Sequence, residues 1–239
     1  LGVAYNVFDG EELLESSIKS IRDSVDYISV IYQKTSWTGQ TANPSLLDTI
    51  EDLLNKNLVD ATYNFEMPPQ IDMHPKFYEI MKRNIGLQIS RMKGCTHQMS
   101  MDTDEYYHKD EFENMKKRIE EEDWDAGACG IISYFKDPTY QITPVSNYHV
   151  STIFKIRDDI KYGTFVQNGR EVMPPWPVFV DPTRRCKLDH SKILVFKEEE
   201  IMMHHMSFVR KNLEAKFRSS SADIVKNNQD MLEDFLERV

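Results

Sequence analysis

The sequence predicts an α/β fold with a mostly parallel central sheet and helices on both of its faces. Two observations predict it. Over the first hundred residues, strand-like and helix-like segments alternate at the pitch of a parallel sheet with crossover helices. At the end of the fourth strand-like segment stand Asp102 and Asp104, just outside a strand's carboxyl end, where open α/β sheets collect their ligands. The chain has 239 residues, 40% of them hydrophobic. That is enough to bury one substantial core, so a single domain over residues 1–239 is expected.

Each element has a local reason. Residues 1–7 read as a strand. Asp9 is positioned to cap the helix that follows, with Glu12 three residues on in a capping-box arrangement, and Leu14, Ile18, Ile21 and Val25 recur at helical spacing. A second strand is expected at 27–32, a second helix at 45–55 behind Pro44, and a third strand at 58–65. Phe77, Met81, Ile85, Ile89 and Met92 mark the apolar stripe of a longer helix, closed by Lys93-Gly94. The strand into Asp102 comes next.

Beyond Asp104 the pattern changes. A helix at 110–122, with Phe112, Met115 and Ile119 inward, leads into strands at 126–135 and 148–156. Met173-Pro174-Pro175-Trp176-Pro177 predicts a shaped loop, and 178–180 and 192–196 are short strand candidates. Two helices are expected at the end: 208–218, with Val209, Leu213 and Phe217 on one face, and 222–237. The Ser219-Ser220-Ser221 run between them reads as a turn.

Composition narrows function. A net charge of −10 argues against a general nucleic-acid or anionic-membrane binder, since both need a basic surface. It leaves room for a nucleotide, whose diphosphate one cation and a few basic residues neutralise locally. Cys95, Cys129 and Cys186 are odd in number and widely spaced, which predicts neither a disulfide framework nor a zinc site. Cys95 and Cys129 are expected as buried thiols. No apolar run reaches transmembrane length and no signal peptide is visible. Leu1 starts inside a strand, as in a trimmed chain, and the expected location is cytoplasmic.

Asp102 and Asp104 are the chemical centre of the sequence. In an extended backbone, residues i and i+2 face the same way. Two hard carboxylates at one point suit Mg²⁺ or Mn²⁺ together with substrate phosphate oxygens. Asp123 and Asp125 have the same spacing, but they precede an apolar strand, so position favours the first pair.

Four segments stand out together: Asn6-Val7-Phe8-Asp9-Gly10-Glu11-Glu12 after the opening strand, Lys82-Arg83-Asn84, Met101-Asp102-Thr103-Asp104, and His204-His205-Met206-Ser207-Phe208-Val209-Arg210. In this order and spacing they resemble a GT-A fold nucleotide-sugar glycosyltransferase, similar to the family 2 type and to small bacterial and viral sugar transferases. The resemblance spans residues 1 to about 221. It divides the domain into a nucleotide-binding half (1–105), an acceptor half with the segment that closes the metal site (106–221), and a terminal helix (222–239). It implies inverting transfer of a sugar, from a UDP-sugar donor first of all, to a hydroxyl of a glycan acceptor. It also implies a divalent cation on Asp102 and Asp104, with a late histidine completing the site. His205, next to Met206-Ser207, matches that position better than His204, and adjacent residues of a strand face opposite ways.

The chemistry agrees. Displacing a nucleoside diphosphate builds negative charge on the leaving phosphate, which a cation and fixed basic side chains stabilise. Lys82, Arg83 and Arg210 are candidates for that role, against a plain reading as solvated helix charges. Tyr5, Asn6, Asp9 and Gln33 follow the first two strands and are the nucleotide candidates. Asp9 has the competing role of helix cap. Inversion needs a base; Asp181 is the candidate and Asp189 the runner-up, although Asp before Pro182 commonly caps a turn. Trp37 and Trp176 are either sugar-stacking residues or loop anchors. A nucleotidyltransferase would carry a glycine-rich basic loop where Val7-Phe8-Asp9-Gly10-Glu11-Glu12 is acidic. A noncatalytic binding module would bind sugar or nucleotide without turnover.

Overall fold

A computed structural model describes residues 1–68, 74–163, 165–167, 170–172, 176–186, 192–211 and 213. The elements are β1 (Gly2–Val7), α1 (Glu11–Ile21), β2 (Tyr27–Tyr32), α2 (Ser45–Asn55), β3 (Ala61–Asn64), α3 (Pro75–Met92), β4 (His97–Asp102), β5 (Glu105–Tyr106), α4 (Lys109–Glu121), β6 (Ala126–Phe135), β7 (Asp137–Gln141), β8 (Ser146–Lys155), β9 (Phe165–Gln167), β10 (Arg170–Val172), β11 (Ile193–Val195) and β12 (Met202–Phe208). The main sheet runs β3-β2-β1-β4-β8-β6-β12-β5, with β7 and β11 also paired to β6. β3, β2, β1 and β4 are mutually parallel. β8 is antiparallel to both β4 and β6, and β12 lies parallel to β6. The carboxyl ends of β1, β4, β6 and β12 therefore share one rim.

Strand alternation sorts the two faces. Val3, Tyr5 and Val7 of β1 and Met99 and Met101 of β4 join the main core, against Leu14 and Ile18 of α1, Leu46 and Leu53 of α2, and Phe112 and Ile119 of α4. Ala4 of β1 and Ile31 of β2 lie on the other face, with Tyr78 of α3. Helices cover both faces, as expected, and every residue of β1 is buried. The predicted inward residues of α4 are closed off, Phe112 at 0% and Met115 and Ile119 at 1% exposure. Each such side chain stabilises the fold by roughly 1.5–3 kcal/mol.

α3 departs from its predicted face. Its buried residues are Pro75, Tyr78, Lys82, Arg83, Gly86, Leu87 and Ser90, while Met92, assigned to the apolar stripe, is 77% exposed. The helix turns a small and basic face to the sheet because the backbones approach closely. A Cβ on Gly86 would sit 2.3 Å from Ala4 Cβ, and one on Gly2 would sit 2.2 Å from Ser90 Oγ. At its end, Gly94 takes φ +75, and Cys95 N–H donates to Ser90 O at 3.0 Å. This is the glycine closure read from the sequence.

Other expectations are corrected. Asp9 does not cap α1: the cap position is Gly10, in the left-handed region with no side-chain cap bond, which leaves Asp9 for another partner. The expected strand at 178–180 reduces to one bridge, His149 with Val180. Phe208, predicted to start a helix, ends β12, and most of the two terminal helices and of the 173–177 loop lies outside the described residues. β7 and the antiparallel pair β9–β10 had no counterpart in the sequence reading; β7 is exposed along its length, so it lacks the apolar alternation that marks a strand. Cys129 and Cys186 are buried, Cys95 is half-buried, and all three thiols are free.

Candidate functional site

The site sits on the rim where β1 and β4 end. Asn6 and Asp102 are register partners and lie on the α3 face of the sheet, with Ser100. Arg83, 1% exposed, reaches over from α3. Its guanidinium donates to Ser100 Oγ at 2.7 Å, to both oxygens of Asp102 at 3.3 Å, and to Thr183 Oγ1 at 3.3 Å. Arg184 arrives from the 3-10 turn Pro182–Arg184 and is also buried. It donates to Asp102 Oδ2 at 2.7 Å, to Ser100 O at 3.1 Å and to Glu105 Oε2 at 2.8 Å, and its second terminal nitrogen closes on Glu105 Oε1. Glu105 accepts from the Asp102 amide at 3.1 Å. Burial pushes the Glu105 carboxyl up while Arg184 pulls it back, and the facing carboxylates hold Arg184 charged. Asp102 keeps 37% of its side chain exposed, the open member of a locked cluster.

Asp104 belongs to a second group. It lies in the two-residue turn between β4 and β5 rather than extending the strand, is 1% exposed, and closes on Arg210. Arg210 also lies 3.1 Å from Asp9 Oδ1, which explains the missing cap. Gly10 makes this possible: at φ +74, a Cβ there would meet Arg210 Cζ and Thr103 Oγ1 at 2.7 Å. His205 Nε2 stands 3.6 Å from Asp104 Oδ1. His204 turns the other way, its Nδ1 2.7 Å from the Tyr134 hydroxyl and its ring 4.5 Å from that of His108. Burial and His108 lower its pKa.

Asp102, Asp104 and His205 have the hard oxygen and imidazole donors that Mg²⁺ or Mn²⁺ takes, so the donor chemistry fits a cation. Among the described residues, however, no three acidic, histidine or cysteine side chains stand together as a ligand cluster. Arginines hold both carboxylates in this arrangement, and Arg210 is the group a cation at Asp104 would have to displace.

Several buried polar groups on the same rim lack partners. Neither amide atom of Asn6 nor Gln33 Oε1 has a hydrogen bond, and Asn6 and Gln33 are 9% and 4% exposed. An unpaired buried amide costs free energy unless something else satisfies it. Lys82 is 6% exposed, not a solvated helix charge, and burial lowers its pKa. Between the β1–α1 turn and residues 40–45 lies a cavity of about 510 Å³, lined by Phe8, Asp9, Gly10, Gln40, Asn43 and Arg210 among others.

The structure does not bring every candidate here. Tyr5 is fully buried on the opposite face, its hydroxyl 3.1 Å from Ser17 Oγ. Neighbours in a strand cannot share a face, so Tyr5 and Asn6 cannot both line the cleft. Asp181 caps the 3-10 turn, accepting from Thr183 N at 2.8 Å and Thr183 Oγ1 at 2.9 Å, and its other oxygen is 3.4 Å from Arg184 Nε. Asp189 lies outside the described residues. Trp37 and Trp176 pack partly buried against core clusters. Asp123 pairs with Lys155, and Asp125 pairs with Arg157 and accepts from Lys192 N at 2.8 Å, at the amino end of β6 and so away from the rim. The sequence reading missed Glu105 and Arg184. Glu105 follows the aspartate pair directly, but Arg184 sits 79 positions from Glu105 and carries no local signal.

No protein-family model matches the chain, and no curated protein matches it. Among solved structures, residues 1–349 of S. aureus TarS match with a TM-score of 0.52 at 11% identity, over 86% of this chain and 60% of that one. The TarS 1–349 structures in complex with UDP and with UDP-GlcNAc give 0.43 and 0.41, each at 13% identity over 61% of this chain, covering 38% and 37% of theirs. The first match shows the fold alone: a mixed α/β architecture with a mostly parallel central sheet, shared with TarS 1–349. This chain spans 60% of the length of TarS 1–349.

Proposed function

We propose that the chain is a glycosyltransferase of the family 2 type that moves a sugar, with inversion, from a UDP-sugar to a glycan hydroxyl. The observation that carries the proposal is the rim where β1 and β4 end. There the unpartnered amide of Asn6 stands in register with Asp102, beside the buried Lys82 and Arg83. Such a rim offers hydrogen bonds to a nucleoside and positive charge to a diphosphate. In this reading Asn6 and Gln33 contact the nucleoside. Lys82 and Arg83 hold the diphosphate, Asp9 orients Arg210, and the glycosyltransferase-type fold agrees.

Charge supports a divalent cation. Lys82, Arg83, Arg184 and Arg210 already face Asp9, Glu79, Asp102, Asp104, Glu105 and Asp181, so carboxylates outnumber these four cations. A diphosphate adds about two more negative charges to a low-dielectric site, which Mg²⁺ or Mn²⁺ would offset. Asp102, Asp104 and His205 would hold it. When bound, it supplies Lewis-acid stabilisation of the departing diphosphate. Lys82 and Arg83 assist as fixed charges that need no reorganisation. Asp181 is the proposed base, through the oxygen that the cap does not use, and Asp189 is the alternative. The single domain over 1–239, with its donor half 1–105, is part of this proposal. No described helix is long and apolar enough to cross a membrane.

The test is incubation with a panel of nucleotide sugars, with and without Mn²⁺ or Mg²⁺, following thermal stabilisation and release of free nucleotide. Asp104→Ala abolishes metal-dependent binding and turnover, whereas Asp123→Ala leaves both near wild type. Equal losses in the two variants would reject the assignment of the metal pair. Stabilisation without nucleotide release would leave a binding module. NMR of the product linkage reads inversion, and a retained configuration would remove the search for a base.

A further inference from the structure

The part of the rim that the donor reading leaves unused carries a fixed aromatic pair. Residues 178–185 run beside β8: Val180 bridges His149, His149 N–H donates to Phe179 O at 2.9 Å, and Asp181 N–H donates to His149 O at 3.3 Å. Ser151 Oγ ties the same segment down by donating to Arg184 O at 3.0 Å. Phe179 is nevertheless 58% exposed. Its ring does not hang loose. The Tyr148 and Phe179 rings form a T-shaped pair, with centroids 4.8 Å apart and planes at 81°. The Arg185 guanidinium lies 5.6 Å from the ring centroid and is anchored by donation to Val180 O at 3.0 Å.

We propose that Phe179 and Tyr148 form a carbohydrate-binding platform, on which the acceptor glycan lays the apolar face of one sugar ring. The identification of this sugar as acceptor rests on the glycosyltransferase reading; the platform itself does not. Three features point to a sugar. A single exposed apolar side chain is ordinary on a protein surface, but this one is oriented by a neighbouring ring and a cation, so little freedom is lost when a flat apolar face docks on it. Polar groups surround the rings: the Asp181 charge raises the Tyr148 phenol while Arg184 and Arg185 lower it, burial being the larger cause. Aromatic faces rimmed by hydrogen-bonding groups match a pyranose, whose C–H face is apolar and whose edge is all hydroxyl. Position supplies the third. Phe179 is two residues from the proposed base, Asp181, and Arg184 of the same segment contacts Asp102 at 2.7 Å, so a ring seated here approaches the donor site from the side opposite β1.

Saturation-transfer NMR on the whole chain tests this without any turnover. The probes are the methyl glycosides of glucose, galactose and N-acetylglucosamine. Wild type transfers saturation to the ring protons of at least one of them. Phe179→Leu, which keeps bulk but loses the π face, weakens that binding by about tenfold, corresponding to ~1.4 kcal/mol of lost stacking, while Phe179→Tyr retains it. Phe179→Tyr melts with wild type, and Phe179→Leu loses no more than the ring contacts to Tyr148 and Arg185, a shift of a few degrees that leaves the fold intact. No transfer to any glycoside in wild type, or equal binding by Phe179→Leu, overturns the platform. If the platform binds but no nucleotide sugar is ever turned over, the glycosyltransferase reading fails while the platform stands.

Discussion

Replacing Gly86 by alanine sets two large effects of opposite sign against each other. In the middle of a helix the change normally stabilises, by roughly 0.8–1.0 kcal/mol, because glycine loses more backbone freedom on folding. Here the new methyl would lie 2.3 Å from Ala4 Cβ, with Ile31 Cδ1 at 3.3 Å. Carbon atoms rest at about 3.5–4.0 Å, so α3 must lift from β1 by more than about 1 Å. Ala4 Cβ has no rotamer to move into, and the overpacking falls at the upper end of the ~1–3 kcal/mol range. The net effect is a loss of about 2 kcal/mol, or ~4–8 °C in melting temperature for a chain of this size. Lys82 and Arg83 lie on the neighbouring turn of the same buried face, so the displacement also loosens the 3.3 Å contacts between Arg83 and Asp102. Urea unfolding of Gly86→Ala, Ala4→Gly and the double variant checks the account, with a coupling free energy above about 1 kcal/mol expected. A Gly86→Ala protein as stable as wild type, or additive variants, would refute the close approach of α3 to β1.

Lys82→Met is expected to raise the melting temperature at pH 7, by removing a buried ammonium, and to lower nucleotide affinity. Burial lowers the Lys82 pKa, so above that value the unfolded chain binds more protons than the folded one and wild-type stability rises with pH. The advantage of Lys82→Met therefore shrinks toward alkaline pH, and thermal unfolding across pH reads it. Arg184→Met strands Glu105 and Asp102 and costs about 3–5 kcal/mol, whereas adding Glu105→Met recovers most of the loss; chemical denaturation of both variants measures this. His204→Ala breaks the bond to Tyr134 and lowers stability, while His205→Ala lowers metal affinity more than stability; metal titration beside thermal unfolding separates them.

The sequence alone determined the elements whose causes are local. Tyr27–Tyr32, Ser45–Asn55 and Ala126–Phe135 match their predicted limits, because hydrophobic period, a proline start and turn residues act over a few positions. It also placed Asp102 and Asp104 at a strand's carboxyl end, where Asp102 closes β4 and Asp104 stands in the turn after it, and strand alternation separated the facing of His205 from that of His204. Alternation would have excluded Tyr5 too, since Asn6 beside it was already assigned to the cleft. Tertiary structure decided what depends on distant partners. The buried face of α3 follows Gly86 meeting Ala4 and Arg83 meeting Asp102, not the apolar stripe. Asp9 turned from cap to ion pair because Arg210 arrived from the other end of the chain. The Arg184–Glu105 pair closes over 79 positions. No periodicity records such contacts, because a charge is satisfied by whichever opposite charge the fold brings within reach.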